Sequence, residues 1–212
     1  MQNRRNFRPT LKLLPLALSA ALQTPASAEE AKLPRIDVIA GGDEAITEQP
    51  GSVSIVSSEQ IERTQPISTE DALREVPGVH VKGEEETAVV ANIGIRGLSA
   101  ADYKTLILED GVPIAPGLFV GNGRYYNPRI QRMDEIEVLK GAAALRYGPN
   151  TIGGVINYKT KDPIDGLAVT GRVGTHSYRE ATIEAGGASP SGEATAGLIY
   201  TRADSDGFQD KG

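Results

Sequence analysis

"YGPNTIGGVINY", residues 147–158, sets Gly-Pro and Gly-Gly directly against an alternating apolar run. Glycine-rich loops that open a helix often cradle phosphate, so the first test is for that chemistry. A phosphate loop needs Gly, four residues, then Gly-Lys-Ser/Thr, with a strand before it and a helix after it. Gly148 and Gly153 have the spacing, but Gly154 and Val155 stand where lysine and a hydroxyl are required. "GGVINYKT" (153–160) then continues with the two-residue period of a strand. The stretch is a tight turn that feeds a strand, and its glycines serve the backbone.

The surrounding pattern, from Ser52 to Pro163, is that of an α+β domain: a mixed β-sheet with short helices. "SVSIVS" (52–57) reads as a strand. "SSEQIER" (57–63) reads as a helix, with Ser57 and Gln60 spaced as a capping box. "STEDALREV" (68–76) is a second helix, with Ser68 as N-cap, acids in its first turn and Pro77-Gly78 at its end. "GVHV" (78–81) and "NIGIRG" (92–97) are strands. In "TLILEDGVPI" (105–114) Leu106 and Leu108 share a face and Asp110-Gly111 makes the hairpin turn. "PRIQRMDEIEVLKG" (128–141) is a short helix or turn running into a strand with Ile136 and Val138 on one side. "AAALRYG" (142–148) is another helical turn.

After Asp162-Pro163 three segments alternate. "GLAVTGRVG" (166–174) sets Leu167, Val169 and Val173 against Ala168, Thr170 and Arg172. "SYREATIEAGG" (177–187) sets Ala181, Ile183 and Ala185 against Glu180, Thr182 and Glu184. "GEATAGLIYTRAD" (192–204) sets Ala196, Leu198 and Tyr200 against Thr195, Ile199 and Thr201. Such ten-residue segments suit a transmembrane β-barrel. They suit a water-facing antiparallel sheet equally well, and periodicity alone does not choose.

The chain opens with Arg4, Arg5, Arg8 and Lys12, then an apolar run from Leu13 to Leu22, then Ala26-Ser27-Ala28. This is the layout of a secretory signal peptide, residues 1–28, and the run is shorter than the roughly 20 residues a membrane helix takes. Residues 29–51 mix charges with proline and glycine and read as a flexible leader. Within it "RIDVIAG" (35–41) is either a chance apolar cluster or a segment that pairs with another chain's sheet edge.

The 22 Lys+Arg include the four basic residues above, leaving 22 − 4 = 18 against 28 Asp+Glu, a net charge of −10 beyond residue 28. That balance disfavours nucleic acid as a partner. There are no cysteines, which removes thiolate chemistry and disulfides. "GNGRYY" (121–126) has Tyr126 where a dinucleotide fingerprint requires glycine. "GLSAA" (97–101) has Ala101 where a nucleophile elbow closes with glycine. His80 and His176 lie in no metal-binding spacing and are read as ordinary strand residues. Glu84, Glu85, Glu86, Asp204, Asp206 and Asp210 are read as solvated turns, not calcium ligands. No catalytic constellation, intrinsic metal or cofactor is expected, and binding or transport is favoured over a hydrolase.

Four stretches together, "NIGIRGL" (92–98), "LEDGVPI" (108–114), "MDEIEVLKG" (133–141) and "LRYGPNTIGGVINYKTK" (145–161), resemble the plug domain of TonB-dependent outer-membrane transporters. The likeness runs from about residue 46 to 163 and is closest to the ferric-citrate branch. It implies a plug domain (52–163) followed by the first antiparallel strands (164–212) of a transmembrane β-barrel. Only 212 − 163 = 49 residues follow Pro163, and a closed barrel takes at least eight strands. The chain is therefore expected to be an N-terminal part of a transporter that imports a ferric chelate at the cell outer membrane. The resemblance makes Ile36, Asp37, Val38, Ile39 and Ala40 the TonB box, which pairs with the TonB energy-coupling protein. It implies chelate contacts from "SAADYK" (99–104) and "APGLFVGNGRYYN" (115–127), through Tyr103, Lys104, Arg124, Tyr125 and Tyr126. It also implies plug-to-wall or intra-plug charge pairs involving Arg96, Glu137 and Lys140. Citrate-binding relatives tend to carry arginine in the first loop, where this chain has Ala100 and Ala101. The alternative reading is a soluble periplasmic binding module with a plug-like fold.

Overall fold

The computed structural model describes residues 51–83, 91–98, 104–114, 126–192 and 194–207. The signal peptide, the TonB box, Tyr103, Arg124, Tyr125, Ser99 and Glu84–Glu86 lie outside these residues.

The first domain is built around its most buried strand. β6 (Met133–Lys140) lies between β1 (Ser52–Val56) and β7 (Gly154–Thr160), antiparallel to both. β7 pairs in parallel with β4 (Thr105–Glu109), and β4 pairs with the short β5 (Val112–Pro113), giving the mixed order β1-β6-β7-β4-β5. Both faces are covered, so β6 and β7 bury side chains on each side, apolar Ile136, Val138, Leu139, Val155, Ile156 and Tyr158 together with polar Glu137, Lys140 and Asn157. On one face Ile136, Val138, Ile156, Tyr158, Val56 and Ile107 pack against α1 (Ser58–Thr64), α2 (Thr69–Arg74) and the hairpin β2 (Val79–Gly83) and β3 (Ala91–Ile95). Ile61, Leu73, Val81, Ile93 and Ile95 are the covering side chains. On the other face Leu139, Val155 and Leu108 meet Ala144 of the 3-10 turn Ala142–Tyr147. Each fully buried aliphatic side chain contributes about 1.5–3 kcal/mol.

Local chemistry sets the boundaries. Ser57 Oγ accepts the Gln60 amide at 3.3 Å and Ser68 Oγ accepts that of Asp71 at 3.1 Å, so both helices begin at the expected caps. Asp110 and Gly111 have φ of 48° and 79°, the signature of a tight hairpin turn. The Asp110 carboxylate then accepts the Thr160 amide at 3.0 Å and the Thr160 hydroxyl at 2.7 Å, tying the turn to β7. Gly154 is where the opening glycines are needed. Its φ is +149°, and a Cβ there would lie 2.5 Å from the Leu139 carbonyl oxygen across the β6–β7 pair.

β8 (Gly166–Val173), β9 (Arg179–Ala188) and β10 (Thr195–Asp204) form a second, antiparallel sheet. The register puts Leu167, Ala185 and Leu198 on one face with Val169, Ile183 and Tyr200. That apolar face is exposed: Val169 is 69% accessible and Leu198 67%. The opposite face carries Glu180, Thr182 and Glu184, and here Glu180 and Thr182 are buried. The polarity is the reverse of a water-facing sheet, whose apolar side turns inward. Gly186 and Gly197 are cross-strand partners on the polar face, and a Cβ on Gly197 would lie 2.8 Å from Pro163 Cβ. The connecting segment therefore crosses that face in contact with its backbone.

One expectation is corrected. His176 is not a strand residue: with Ser177 it forms the β8–β9 turn, at φ of 54° and 55°, closed by the Tyr178 amide on the Thr175 carbonyl at 3.1 Å.

Gly154→Ala combines overpacking with a strained backbone, so it should destabilise the domain by about 2–4 kcal/mol. Gly171→Ala, with nothing within 4 Å of the new Cβ, should stay within about 0.5 kcal/mol. Denaturant midpoints of the two variants would check the difference.

Candidate functional site

Tyr126 is the one described tyrosine of the expected ligand-contact group, and it is held from beneath. The 3-10 turn Ile130–Arg132 follows it, and Arg132 Nη2 donates to the Tyr126 hydroxyl at 2.7 Å. The same nitrogen is 2.5 Å from the Glu109 carboxylate at the end of β4. Glu109 thus fixes the guanidinium that donates to the Tyr126 hydroxyl. Below, the buried Tyr158 hydroxyl donates to Asn127 Oδ1 at 3.0 Å, and Thr69 at the start of α2 donates to the Pro128 carbonyl at 3.2 Å. Burial pushes the Tyr158 phenol well above its ordinary range, so it remains a proton donor.

Lys104 is not beside Tyr126. It precedes Thr105, and its carbonyl accepts the Gly153 amide at 2.7 Å, which places it at the opposite end of β4 from Glu109 and Arg132. Five residues of strand separate these ends by about 13 Å at roughly 3.3 Å per residue.

The charge group Arg96, Glu137 and Lys140 also divides. Glu137 and Lys140 project from opposite faces of β6, three residues apart. Glu137 is buried against β7, where Asn157 Nδ2 donates to it at 2.8 Å and Lys159 Nζ lies 3.2 Å away. This is a charge pair within the domain, with Lys159 as the partner that the sequence did not single out. Lys140 is 2% exposed on the helix-covered face and donates to Ser54 Oγ at 3.0 Å and to the Pro77 carbonyl at 2.7 Å. That carbonyl lies just past α2, where a cation is favoured. Burial, with the neighbouring Arg96 guanidinium, holds the Lys140 ammonium below its ordinary pKa. Among the described residues neither Arg96 nor Lys140 pairs with a carboxylate.

A second cluster joins the two sheets. Glu180 Oε2 on β9 accepts from Gln131 Nε2 at 2.5 Å and from the Tyr178 hydroxyl at 2.7 Å, and Arg172 Nε lies 3.5 Å from Glu180 Oε1. Arg172 Nη1 donates to the Pro66 carbonyl at 3.2 Å, and Lys161 Nζ lies 3.4 Å from Glu184. Sequence reading missed this cluster, although the alternation of "SYREATIEAGG" already put Glu180 and Glu184 on one face. No cluster of metal-ligating side chains occurs among the described residues.

Residues 45–155, just over half of the chain, match the TonB-dependent Receptor Plug Domain family. The chain belongs to the TonB-dependent receptors. This receptor is 33% identical over 178 residues to the ferric enterobactin receptor PirA of Pseudomonas aeruginosa, covering 71% of this chain and 24% of that protein. It is 30% identical over 176 residues to the vitamin B12 transporter BtuB of Vibrio vulnificus, covering 80% of this chain and 28% of that one. The chain thus spans about a quarter of the length of these relatives. Its fold resembles the unliganded ferric citrate transporter FecA, with a TM-score of 0.60 and 23% identity over 76% of this chain and 26% of that one. The family is one of outer-membrane receptors, so the protein resides in the outer membrane and is not an enzyme. The five-stranded domain is its plug.

Lys140 supplies a pH test. Its folded-state pKa is lowered below 10.5, so between that lowered value and 10.5 the unfolded chain holds more protons than the folded one. The contribution of Lys140 to stability must then rise with pH through that window. The stability of the wild type relative to Lys140→Met should rise as pH approaches 10.5 from below, with the buried Tyr158 acting on both proteins alike. Denaturant midpoints of the two along a pH series would check it, and a difference that stays flat would contradict it.

Proposed function

We propose that this receptor is the N-terminal part of an energy-coupled importer that carries a ferric chelate across the outer membrane. The observation that carries the reading is the reversed polarity of β8–β10 beside a plug fold. An apolar exposed face and a polar face turned to the plug suit the first strands of a lipid-embedded wall. A soluble periplasmic module would leave Leu167, Val169, Val173, Leu198 and Tyr200 in water, a patch that monomeric soluble proteins rarely carry.

The leader segment Ile36–Ala40 is the proposed TonB box. It would add a strand to TonB, with main-chain bonds supplying affinity. Arg124, Tyr125 and Tyr126 form the proposed chelate contact, with Tyr126 donating to an anionic oxygen from the position that Arg132 sets. Lys104, at the far end of β4, is left out of that contact. Arg96, exposed at the end of β3, is the proposed plug-to-wall cation and Glu137 with Lys159 the intra-plug pair, while Lys140 is held inside the plug by Ser54 and Pro77. The names of the relatives span enterobactin, vitamin B12 and citrate. A ferric chelate with exposed anionic oxygens is the ligand class that a donor hydroxyl and an arginine fit best.

Crosslinking tests the coupling segment. A cysteine at Val38 should crosslink to TonB in intact outer membranes, more strongly when a ferric chelate is bound. No crosslink at any position from Ile36 to Ala40 would remove the assignment. Replacing Arg124, Tyr125 and Tyr126 together with alanine should weaken binding of the imported chelate by roughly tenfold or more, the loss of at least one charge-assisted hydrogen bond. Unchanged affinity in a titration of the complete receptor would refute the ligand assignment.

A further inference from the structure

The Ile130–Arg132 turn faces two ways. Arg132 reaches Tyr126 and Glu109, while the adjacent Gln131 reaches across the seam to Glu180 on β9. The turn's own backbone continues the link, because the Lys161 amide donates to the Arg132 carbonyl at 2.9 Å and the Lys161 side chain lies beside Glu184. One three-residue turn therefore touches the proposed ligand contact at one side and Glu180 at the other, with Glu184 of the same β9 face reached one step further through Lys161.

The seam is polar and incompletely bonded. Gln131 and Glu180 are 6% and 5% exposed, yet among the described residues Gln131 Oε1 has no hydrogen-bond partner and Arg172 Nε has only its long 3.5 Å ion pair with Glu180. Buried polar atoms are nearly always satisfied, so one unbonded and one weakly paired atom beside the same carboxylate mark a place where bonds can be exchanged. The apolar core beneath offers no such freedom: Ile130 and Met133, on either side of the polar pair, are buried at 2% and 1%. Movement at Tyr126 is accommodated more readily by re-pairing at Glu180 than by shifting Ile130 or Met133 within a close-packed core.

We propose that the Ile130–Arg132 turn couples occupancy of the Tyr126 end to the seam between plug and first hairpin, with Arg132 and Gln131 as positioning residues and Glu180 as the shared acceptor. The proposal rests on the import reading, since it assigns Tyr126 to the ligand. Displacing Tyr126 would draw Arg132 with it, and the Gln131–Glu180 bond would exchange or break. Energetic coupling of this kind is reciprocal, so loosening the seam must in turn change how firmly Tyr126 is held.

The test reads the seam without any chelate. Thr182, 3% exposed on the polar face of β9, is replaced by cysteine as the only thiol of the complete receptor in outer-membrane vesicles. Its rate of reaction with a small water-soluble maleimide then reports opening. Glu180→Gln and Arg132→Met should each raise the rate roughly tenfold, as expected from loss of one hydrogen bond to a charged group. Tyr126→Phe, which removes only the hydroxyl, should raise it in the same direction. Arg132→Met combined with Glu180→Gln should be no faster than the faster single variant, and Arg132→Lys should recover part of the wild-type rate. Wild-type rates in Tyr126→Phe and Arg132→Met, or combined effects that multiply, would overturn the coupling. So would a Glu180→Gln rate equal to wild type. Uptake of radiolabelled ferric enterobactin and ferric citrate is measured separately. Coupling lost with uptake intact overturns this inference alone, whereas coupled labelling in a receptor that TonB does not engage overturns the import reading alone.

Discussion

A sheet that buries Glu180 and Thr182 while leaving Val169 and Leu198 exposed obeys a constraint foreign to water-soluble sheets. Its apolar side must meet something as apolar as itself, and its polar side must meet something that can hydrogen-bond. In β8–β10 the second requirement is met by the plug, through Gln131, Lys161 and the Pro66 carbonyl. The rest of the molecule follows from it. The connecting segment crosses the polar face, the plug turn Ile130–Arg132 presents a glutamine there, and the cross-strand glycines Gly197 and Gly186 let Pro163 and the Ile164 carbonyl approach the backbone.

Magnitudes separate what holds the plug together from what holds it in place. Within the plug, Leu73, Ile93, Ile95, Ile136, Val138 and Ile156 are almost wholly buried, each contributing about 1.5–3 kcal/mol. Across the seam the contacts are hydrogen bonds and ion pairs, each adding about 0.5–1.5 kcal/mol net, somewhat more where a charge takes part. Loosening the plug from its neighbour therefore costs less per contact than disrupting its core. The proposed import reading, in which the plug loosens without unfolding, fits that ordering.

What could be read in advance was local. Ser57 and Ser68 as caps, Asp110-Gly111 as a hairpin turn, and the shared face of Ile136 and Val138 depend on residues within a few positions of one another. The alternation of "SYREATIEAGG" likewise assigned Glu180 and Thr182 to one face, but not which face would be covered, because that depends on what packs there. Partners across the fold were harder. Lys159 meets Glu137 only because β6 and β7 pair in one register, and Lys104 is separated from Tyr126 because it sits at the end of β4 opposite Glu109, which Arg132 reaches. His176 was misread because a two-residue turn of left-handed residues needs no glycine, and "THSY" gives little warning of it. The family likeness came from "NIGIRGL", "LEDGVPI", "MDEIEVLKG" and "LRYGPNTIGGVINYKTK" taken together, stretches whose turns and paired strands form the plug sheet and the β2–β3 hairpin packed on it.

The polar face of β8–β10 meets the plug, and we propose that its apolar face meets lipid. Nitroxide labels at Val169 and Thr182 in the complete receptor, reconstituted in liposomes, test it by comparing collisions with oxygen, which partitions into lipid, and with a water-soluble nickel chelate. The label at Val169 should collide chiefly with oxygen, and the label at Thr182 with neither reagent to any large extent. A Val169 label reached freely by the nickel chelate would contradict the account.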